Sequence, residues 1–218
     1  MDTGTIAARW LSAGFAFALI AAPASAQDNP AHTHIGHVAT AFPRTPDGAG
    51  LLPTAMAEAQ TASQHAGLAL GDPGNLGAIQ THAAHVLHAV DPSRVENGPG
   101  RGFGVIAGAE GVAQHVELAA GAEGASDAVK THATHVATAA RAVAERAREL
   151  AELAAAVGEA EDASAAAEMA EQMRALADQL VAGADVNGDG QIGWGDGEGG
   201  LQHAEQHMGF MTAAEGIE

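Results

Sequence analysis

The sequence predicts an all-α protein built from repeated helical hairpins, and three observations favour this fold class. Alanine supplies 55 of the 218 residues, and its small side chain both favours helix and lets helices pack closely. Residues that favour strands are sparse, with 5 Phe, 2 Trp and no Tyr. Stretches with helical spacing alternate with connections rich in Gly and Pro. We therefore expect helices joined by short loops, without an extensive sheet.

The first 26 residues have the pattern of an export signal. Arg9 precedes an apolar run from Trp10 to Ala22, and the sequence Pro-Ala-Ser-Ala offers a cleavage site before Gln27. The apolar run is short for a membrane span. The sequence therefore predicts a signal peptide at 1–26, a periplasmic or secreted mature chain, and no membrane association after cleavage. An uncleaved N-terminal anchor is the alternative.

The helices can be placed from the Gly and Pro residues that separate them. Pro-rich segments break the chain after the first helix and again near residue 92, and Gly pairs mark two tight turns near 71–74 and 121–124. The predicted helices cover 31–42, 54–70, 76–90, 103–120, 126–157, 160–183 and 199–214.

A segment of the chain recurs about 50 residues later, which indicates repeated supersecondary units. Residues 64–89 align with 114–139 without gaps, and the matches include Gln-His, Thr-His-Ala and His-Val. The element T-H-x-x-H-V occurs a third time at 33–38, and Gln-His recurs near the C-terminus. We expect His-rich helical repeats over 27–125, a third His-pair helix with an inserted long hairpin over 126–183, and a C-terminal part at 184–218. Residues 27–218 are expected to form one domain.

Composition excludes several classes of function. The chain has 9 Lys and Arg against 27 Asp and Glu, a formal charge of −18, which argues against nucleic-acid and anionic-membrane partners. The absence of cysteine excludes disulfides, thiolate zinc sites, Cys-held iron–sulfur clusters and covalent c-type haem. The 12 histidines outnumber all Lys and Arg together, and they are the main functional indication.

Histidines three residues apart lie on one side of a helix, and a hairpin can bring a third to them. His82 and His85 share their side with apolar residues, so they should face inward. His65 precedes the turn by as many residues as His82 follows it, so a rise of ~1.5 Å per residue places them level. We expect His65, His82 and His85 to converge. The same arithmetic predicts a second group, His115, His132 and His135.

The two ends of the repeat pattern remain unmatched by this arithmetic. The first pair, His34 and His37, has no preceding Gln-His helix, and the C-terminal helix with His203 and His207 has no following pair. The simplest closure brings His34 and His37 to His203 or His207. An antiparallel dimer that exchanges the end helices satisfies the same logic, so a homo-oligomer is an alternative. His32 and His88 lie outside the pattern and are expected to be peripheral or solvated.

Neutral imidazole binds zinc, copper, nickel and iron. Three histidines leave an open coordination position, whereas four close the site. Non-covalent haem with two His ligands from two helices is the alternative. The sequence has no Gly-rich phosphate loop, no nucleophile elbow and no H-E-x-x-H. No catalytic residue is therefore predicted, and the sequence leans away from an enzyme.

The segment 185–196 carries oxygen ligands at alternate positions. Asp185, Asn187 and Asp189 take positions 1, 3 and 5, Gly190 permits a sharp turn at position 6, and position 7 offers a backbone carbonyl. The segment resembles the EF-hand calcium loop, and its start resembles dockerin-type loops. It departs from the EF-hand pattern at position 12, where Asp stands in place of Glu. The resemblance implies Ca²⁺ ligands at Asp185, Asn187, Asp189, Gln191 and Asp196.

The His-rich helical part, by its composition and helical His pairs, resembles periplasmic small metal-binding proteins built as His-decorated bundles. The sequence thus predicts an exported protein that holds one Ca²⁺ and several His-coordinated transition-metal centres. Metal binding, buffering or relay is the predicted role. A non-covalent haem or redox-metal electron carrier is the alternative, and a structural protein stabilised by calcium is the third.

Overall fold

The computed structural model describes residues 29–217, together with Met1. The predicted signal peptide, 1–26, lies outside the continuous described range. The helices are α1 Pro30–Ala39, α2 Leu51–Ala69, α3 Leu76–Val90, α4 Val105–Gly121, α5 Asp127–Gly158, α6 Ala163–Ala182 and α7 Leu201–Glu215. A short 3-10 turn spans Pro46–Gly48. Across residues 29–217 the only strand-like pairing is one isolated bridge between Ala41 and Ala49. The prediction of an all-α fold is confirmed.

Side-chain caps explain where four of the helices begin. Asn29, Asn75, Ser126 and Asp162 each accept a hydrogen bond from a backbone N–H in the first turn of the helix that follows. These bonds satisfy donors that a helix start leaves unpaired. The starts of α1, α3, α5 and α6 are therefore encoded locally, and three of these helices (α1, α3 and α5) carry a His pair within three turns of the cap.

Packing between helices sets which histidines can meet. Helices α2 and α3 pack against each other as one hairpin, and α4 and α5 as another. The terminal helices then flank the second hairpin: α1 packs on α4, and α7 packs on α5. Helix α6 returns along α2 and α5. None of the described helices is both long enough and apolar enough to cross a membrane.

The core consists mainly of alanine, so helices approach closely. A Cβ placed on Gly108 of α4 would lie 2.8 Å from the Cβ of Ala55 in α2, which leaves no space for a side chain there. Larger fully buried side chains include Leu150 of α5 and Met173 and Leu180 of α6, two helices that pack against each other. Because each alanine buries little apolar area, the stability of this bundle depends on dense packing over many contacts.

A buried arginine ties the long hairpin to the segment that precedes α7. Arg146 of α5 donates to the carbonyl of Gln179 at 3.1 Å, of Gly199 at 3.2 Å and of Gly197 at 2.9 Å. Hydrogen bonds from a buried guanidinium are stronger than neutral ones. This contact fixes the path of the chain between α6 and α7, and thereby the position of α7 on α5.

Candidate metal centres

Three clusters of histidines converge in the structure, each from two helices. Every cluster joins an i, i+3 pair from a T-H-x-x-H-V element to a single histidine from a Gln-His element. We name each after the helix that supplies the pair. The α1 triad is His34, His37 and His115; the α3 triad is His65, His82 and His85; the α5 triad is His132, His135 and His207.

The spacing of the imidazole nitrogens matches one shared metal ion in each triad. The Nδ1 atom of His65 lies 3.1 Å from those of both His82 and His85. In the α1 triad the Nδ1–Nδ1 distances from the single histidine are 3.1 and 3.3 Å, and in the α5 triad 3.2 and 3.3 Å. Tetrahedral bonds of about 2.0–2.1 Å separate two nitrogens by about 3.3–3.4 Å. The two distances from the single histidine of each triad therefore lie within about 0.3 Å of this value, and the candidate ligand atoms of each triad all lie within 4.8 Å of one another.

Buried apolar neighbours turn each His pair toward the partner helix. A fully buried residue precedes the first histidine of each pair by three positions, and a fully buried valine follows the second. These neighbours are Ala31 and Val38, Ile79 and Val86, and Val129 and Val136. The pair consequently lies at the edge of the core, with half-buried rings whose Nδ1 atoms face another helix.

Burial lowers the pKa of six of the nine triad imidazoles and so favours their neutral form. Desolvation, followed by the charge of neighbouring histidines, lowers the pKa of the single histidine in every triad and brings that of His207 to about 4. Desolvation also lowers the pKa of His34, His85 and His135, with a neighbouring histidine as the second cause. A neutral ring keeps a lone pair free for a metal ion. The triads therefore present metal-binding nitrogens near neutral pH.

Aromatic side chains cover two of the triads. In the α1 triad the ring of Phe42 lies 5.4 Å from that of His37 and 5.1 Å from that of His115. In the α5 triad Trp194 stacks on His135 at a centroid distance of 3.9 Å. Among the described residues, the ring contacts of the α3 triad are those among its own imidazoles. Sequence reasoning missed Phe42 and Trp194, because neither lies at helical spacing from a histidine, and it also missed Phe210, which follows His207 by three residues and contacts the rings of His132 and His207.

The α3 triad confirms the hairpin arithmetic for His65, His82 and His85, but the second predicted group is wrong. His115 does not join His132 and His135 across the α4–α5 turn; it joins His34 and His37 of α1. Helix rise sets the level of a residue along the axis, but the rotation of the helix decides which neighbour it faces. The two hairpins also differ in their connections, since residues 70–75 join α2 to α3 and the shorter segment 122–126 joins α4 to α5. In addition, α1 packs on α4, so His115 has a second neighbouring helix that carries a His pair.

The predicted closure by the chain ends is also wrong. His34 and His37 meet His115 instead of His203 or His207, while His207 completes the α5 triad. His203 serves the backbone: its Nδ1 accepts from Gly200 N–H and its Nε2 donates to the Ile192 carbonyl, both at 3.2 Å. Helices α1 and α7 do meet, but through a contact of 2.8 Å between His32 Nε2 and Glu215 Oε2.

The expectation that His88 is solvated or peripheral is wrong. His88 is buried, and its Nδ1 donates to the carbonyl of Val95 at 2.7 Å. A Cβ on Gly98 would lie 2.6 Å from the His88 side chain, so the loop after α3 packs directly against this ring. His88 therefore anchors a loop.

The triads do not favour haem. Two axial nitrogens on opposite faces of a porphyrin must lie about 4 Å apart, twice a metal–nitrogen bond of about 2.0 Å. The measured separations of 3.1–3.3 Å between Nδ1 atoms are shorter, and they leave no room for a ring plane between the imidazoles. The geometry suits three ligands on one side of a single ion.

The segment 185–196 forms a tight loop whose acidic side chains bind its own backbone. Asp185 accepts hydrogen bonds from the N–H groups of Gly188 and Gly190, and Asp189 accepts one from Gln191. Gly190 has a φ of +84°, which permits the turn expected at position 6. In the part of the chain that the structure describes, no three carboxylates of this loop bring oxygens within 4.8 Å of one another.

Comparison of the chain with protein-family models, with curated proteins and with solved structures finds no match.

Proposed function

We propose that this protein binds three transition-metal ions, one in each histidine triad, and that it buffers or relays them. The convergence of three Nδ1 atoms at 3.1–3.3 Å, repeated in three places, is the observation that supports this proposal most directly. Three neutral imidazoles held close together without a metal would gain little from their contacts. A shared cation turns each cluster of lone pairs into an attractive arrangement.

The ligand set favours a metal of the Zn²⁺, Cu²⁺, Ni²⁺ or Fe²⁺ class. Imidazole suits these ions, whereas Ca²⁺ and Mg²⁺ require oxygen. Three nitrogens leave a fourth position open for water or for a ligand atom of a partner. A site of this kind exchanges its metal more readily than a closed four-ligand site, which suits buffering or transfer.

We also propose that the chain is exported and that segment 185–196 binds one Ca²⁺. The N-terminal pattern at 1–26 supports export to the periplasm or the extracellular space. The alternation of Asp185, Asn187 and Asp189 supports calcium, as does the turn at Gly190. Extracellular loops of this kind bind Ca²⁺ with a Kd on the order of 10⁻⁴–10⁻³ M.

The metal proposal is tested by titrating metal-free protein with Zn²⁺ in a calorimeter. Wild type should bind three equivalents. His207→Ala should bind two, because it removes the single histidine of the α5 triad. His203→Ala is the matched control on the same helix and should still bind three. Equal stoichiometry in the two variants, or no binding by wild type, would contradict the proposal.

The calcium proposal is tested by thermal unfolding with and without millimolar Ca²⁺. At 1 mM Ca²⁺ a Kd of this size corresponds to a ligand at 1 to 10 times its Kd, which stabilises the folded state by about 0.4–1.4 kcal/mol. Wild type should melt at a higher temperature in Ca²⁺ than in chelator, and Asp185→Ala and Asp189→Ala should lose this difference. A wild-type melting temperature that is the same in Ca²⁺ and in chelator would contradict the proposed calcium site.

A further inference from the structure

One buried carboxylate beside the 185–196 loop has an unpaired oxygen. Glu198 is only 5% exposed. Its Oε2 accepts a hydrogen bond from Gly193 N–H at 2.9 Å, while its Oε1 has no hydrogen-bond partner in the structure. Leaving a buried carboxylate oxygen without a partner is costly, and such atoms commonly mark a missing ion or water.

Glu198 lines the same cavity as the oxygen-bearing residues of the loop. The cavity wall includes Asn187, Asp189, Gln191, Asp196 and Glu198. From Asp185 to the C-terminus the chain has no Lys or Arg. No described Lys, Arg or His nitrogen forms an ion pair with Glu198. The lining of this cavity thus carries three carboxylates and no Lys or Arg, although the Arg146 guanidinium binds the backbone carbonyls of the flanking Gly197 and Gly199.

The backbone around Glu198 is fixed from several sides. Ala184 N–H donates to its carbonyl at 2.9 Å, and its own N–H donates to Gly195 at 2.8 Å. The guanidinium of Arg146 holds the carbonyls of both flanking glycines. Gly183 has a φ of +86° and no side chain, which lets the backbone of Glu198 pack against it: a Cβ there would lie 2.4 Å from the Glu198 carbonyl oxygen. The carboxylate is thus held in place before any ion binds.

Asp196, by contrast, sits at the exposed tip of a turn. Its φ of +52° lies in the left-handed region, and its residue is exposed. Glu198 N–H donates to the Gly195 carbonyl and closes a turn that contains Asp196, loop position 12, before α7 begins at Leu201. The carboxylate that lines the loop cavity from a buried position is therefore that of Glu198, at position 14.

We propose that Glu198, and not Asp196, supplies the carboxylate that closes the calcium site of the loop. The inference rests on the proposed calcium site and assigns its missing acidic ligand. Glutamate is long enough to place both oxygens on one ion, which the family pattern requires of its last ligand. Oxygens on opposite sides of Ca²⁺ lie up to about 5 Å apart, twice a Ca–O distance of 2.3–2.6 Å. Oxygens that share one Ca²⁺ can therefore lie farther apart than 4.8 Å, the separation within which no three carboxylates of the described loop lie.

The test compares three carboxamide variants of the purified protein by Ca²⁺ calorimetry. Glu198→Gln keeps the volume and an acceptor for Gly193 N–H, and it should weaken Ca²⁺ binding at least about tenfold, since a charged ligand is lost. Asp196→Asn should change the Kd by less than about threefold, because an exposed charge acts only weakly. Glu205→Gln, an exposed carboxylate on α7, should have no effect.

The outcomes separate this inference from the calcium proposal on which it rests. Wild-type protein that binds no Ca²⁺ would overturn both. Ca²⁺ binding that survives in Glu198→Gln but fails in Asp196→Asn would overturn only the assignment of Glu198. If Glu198→Gln does not fold, a crystal of Ca²⁺-loaded wild type decides: Glu198 Oε1 should lie about 2.3–2.6 Å from the ion. An ion coordinated by Asp196, with Glu198 turned away, would refute the assignment.

Discussion

The α3 triad and the other two triads have the same composition but different construction. In the α3 triad all three ligands come from one hairpin, and His65 and His85 are 20 positions apart. In the α1 and α5 triads the single histidine is 72 to 81 positions from the pair it joins. The first centre needs only a correctly formed turn. The other two need the packing of α1 on α4 and of α7 on α5.

This difference predicts that a hairpin fragment can form the local centre alone. A peptide covering 50–91 should gain helical circular dichroism on addition of Zn²⁺ and bind one equivalent, because metal binding supplies folding free energy. The matched peptide 100–141 also contains three histidines at equivalent positions. It should respond far more weakly, since His115 faces away from His132 and His135 in the folded protein.

Equal helix induction and equal Zn²⁺ affinity in the two peptides would remove the distinction between local and distant centres. A variant of the first peptide with His65→Ala serves as the control. It should lose most of the response, because two histidines do not make a three-ligand site.

The sequence alone predicted features that depend on local rules. Helix bounds agree within three residues because Pro, Gly and side-chain caps mark them, as at Asn75 and Ser126. The α3 triad followed from helix rise and a short turn. The pairing of His115 with α1 did not, because it depends on how α4 is rotated and on which helix covers it. Nothing in the local pattern near residue 115 encodes that choice.

The stability of the metal-free protein should fall in acid. Six triad histidines have a pKa below the ordinary value of 6.5 in the folded state, and that of His207 is about 4. Between these pH values the unfolded chain binds more protons than the folded one, so the free energy of unfolding decreases as the pH falls. Urea unfolding at pH 7, 5.5 and 4.5 should show a free energy of unfolding that decreases at each step, while its dependence on urea concentration stays unchanged.

A triple variant tests whether the histidines cause this loss of stability in acid. It combines His34→Ala, His115→Ala and His207→Ala. It should reduce the slope of that dependence between about pH 6.5 and 4, since three of the six histidines with a lowered pKa are removed and His65, His85 and His135 remain. A dependence that stays as steep as in wild type would assign it to carboxylates instead.

The tryptophan stacked on the α5 triad should report on that centre alone. Cu²⁺ bound there should quench the fluorescence of Trp194, whose ring lies 3.9 Å from that of His135. His132→Ala should reduce the quenching, whereas His82→Ala should leave it unchanged, because the α3 triad has no such cover. Quenching that disappears in His82→Ala would mean that the triads are not independent sites.

The smallest expected effect concerns the contact between the chain ends. The Nε2 atom of His32 lies 2.8 Å from Glu215 Oε2, and the Ser126 hydroxyl donates to Oε1, so a Gln amide at 215 keeps an acceptor at this contact. Glu215→Gln should therefore lower the free energy of unfolding by no more than about 1 kcal/mol and leave the metal stoichiometry unchanged. Loss of a metal equivalent in this variant would restore the idea that the chain ends build a centre.

Anomalous X-ray scattering from crystals loaded with Zn²⁺ tests the three-centre account most directly. Data collected at the zinc edge should show three peaks per chain, each about 2.0–2.1 Å from three Nδ1 atoms. One peak should join His115 to the α1 pair, one should lie within the α2–α3 hairpin, and one should join His207 to the α5 pair. A peak shared by His115, His132 and His135, or zinc coordinated by His203, would contradict the account.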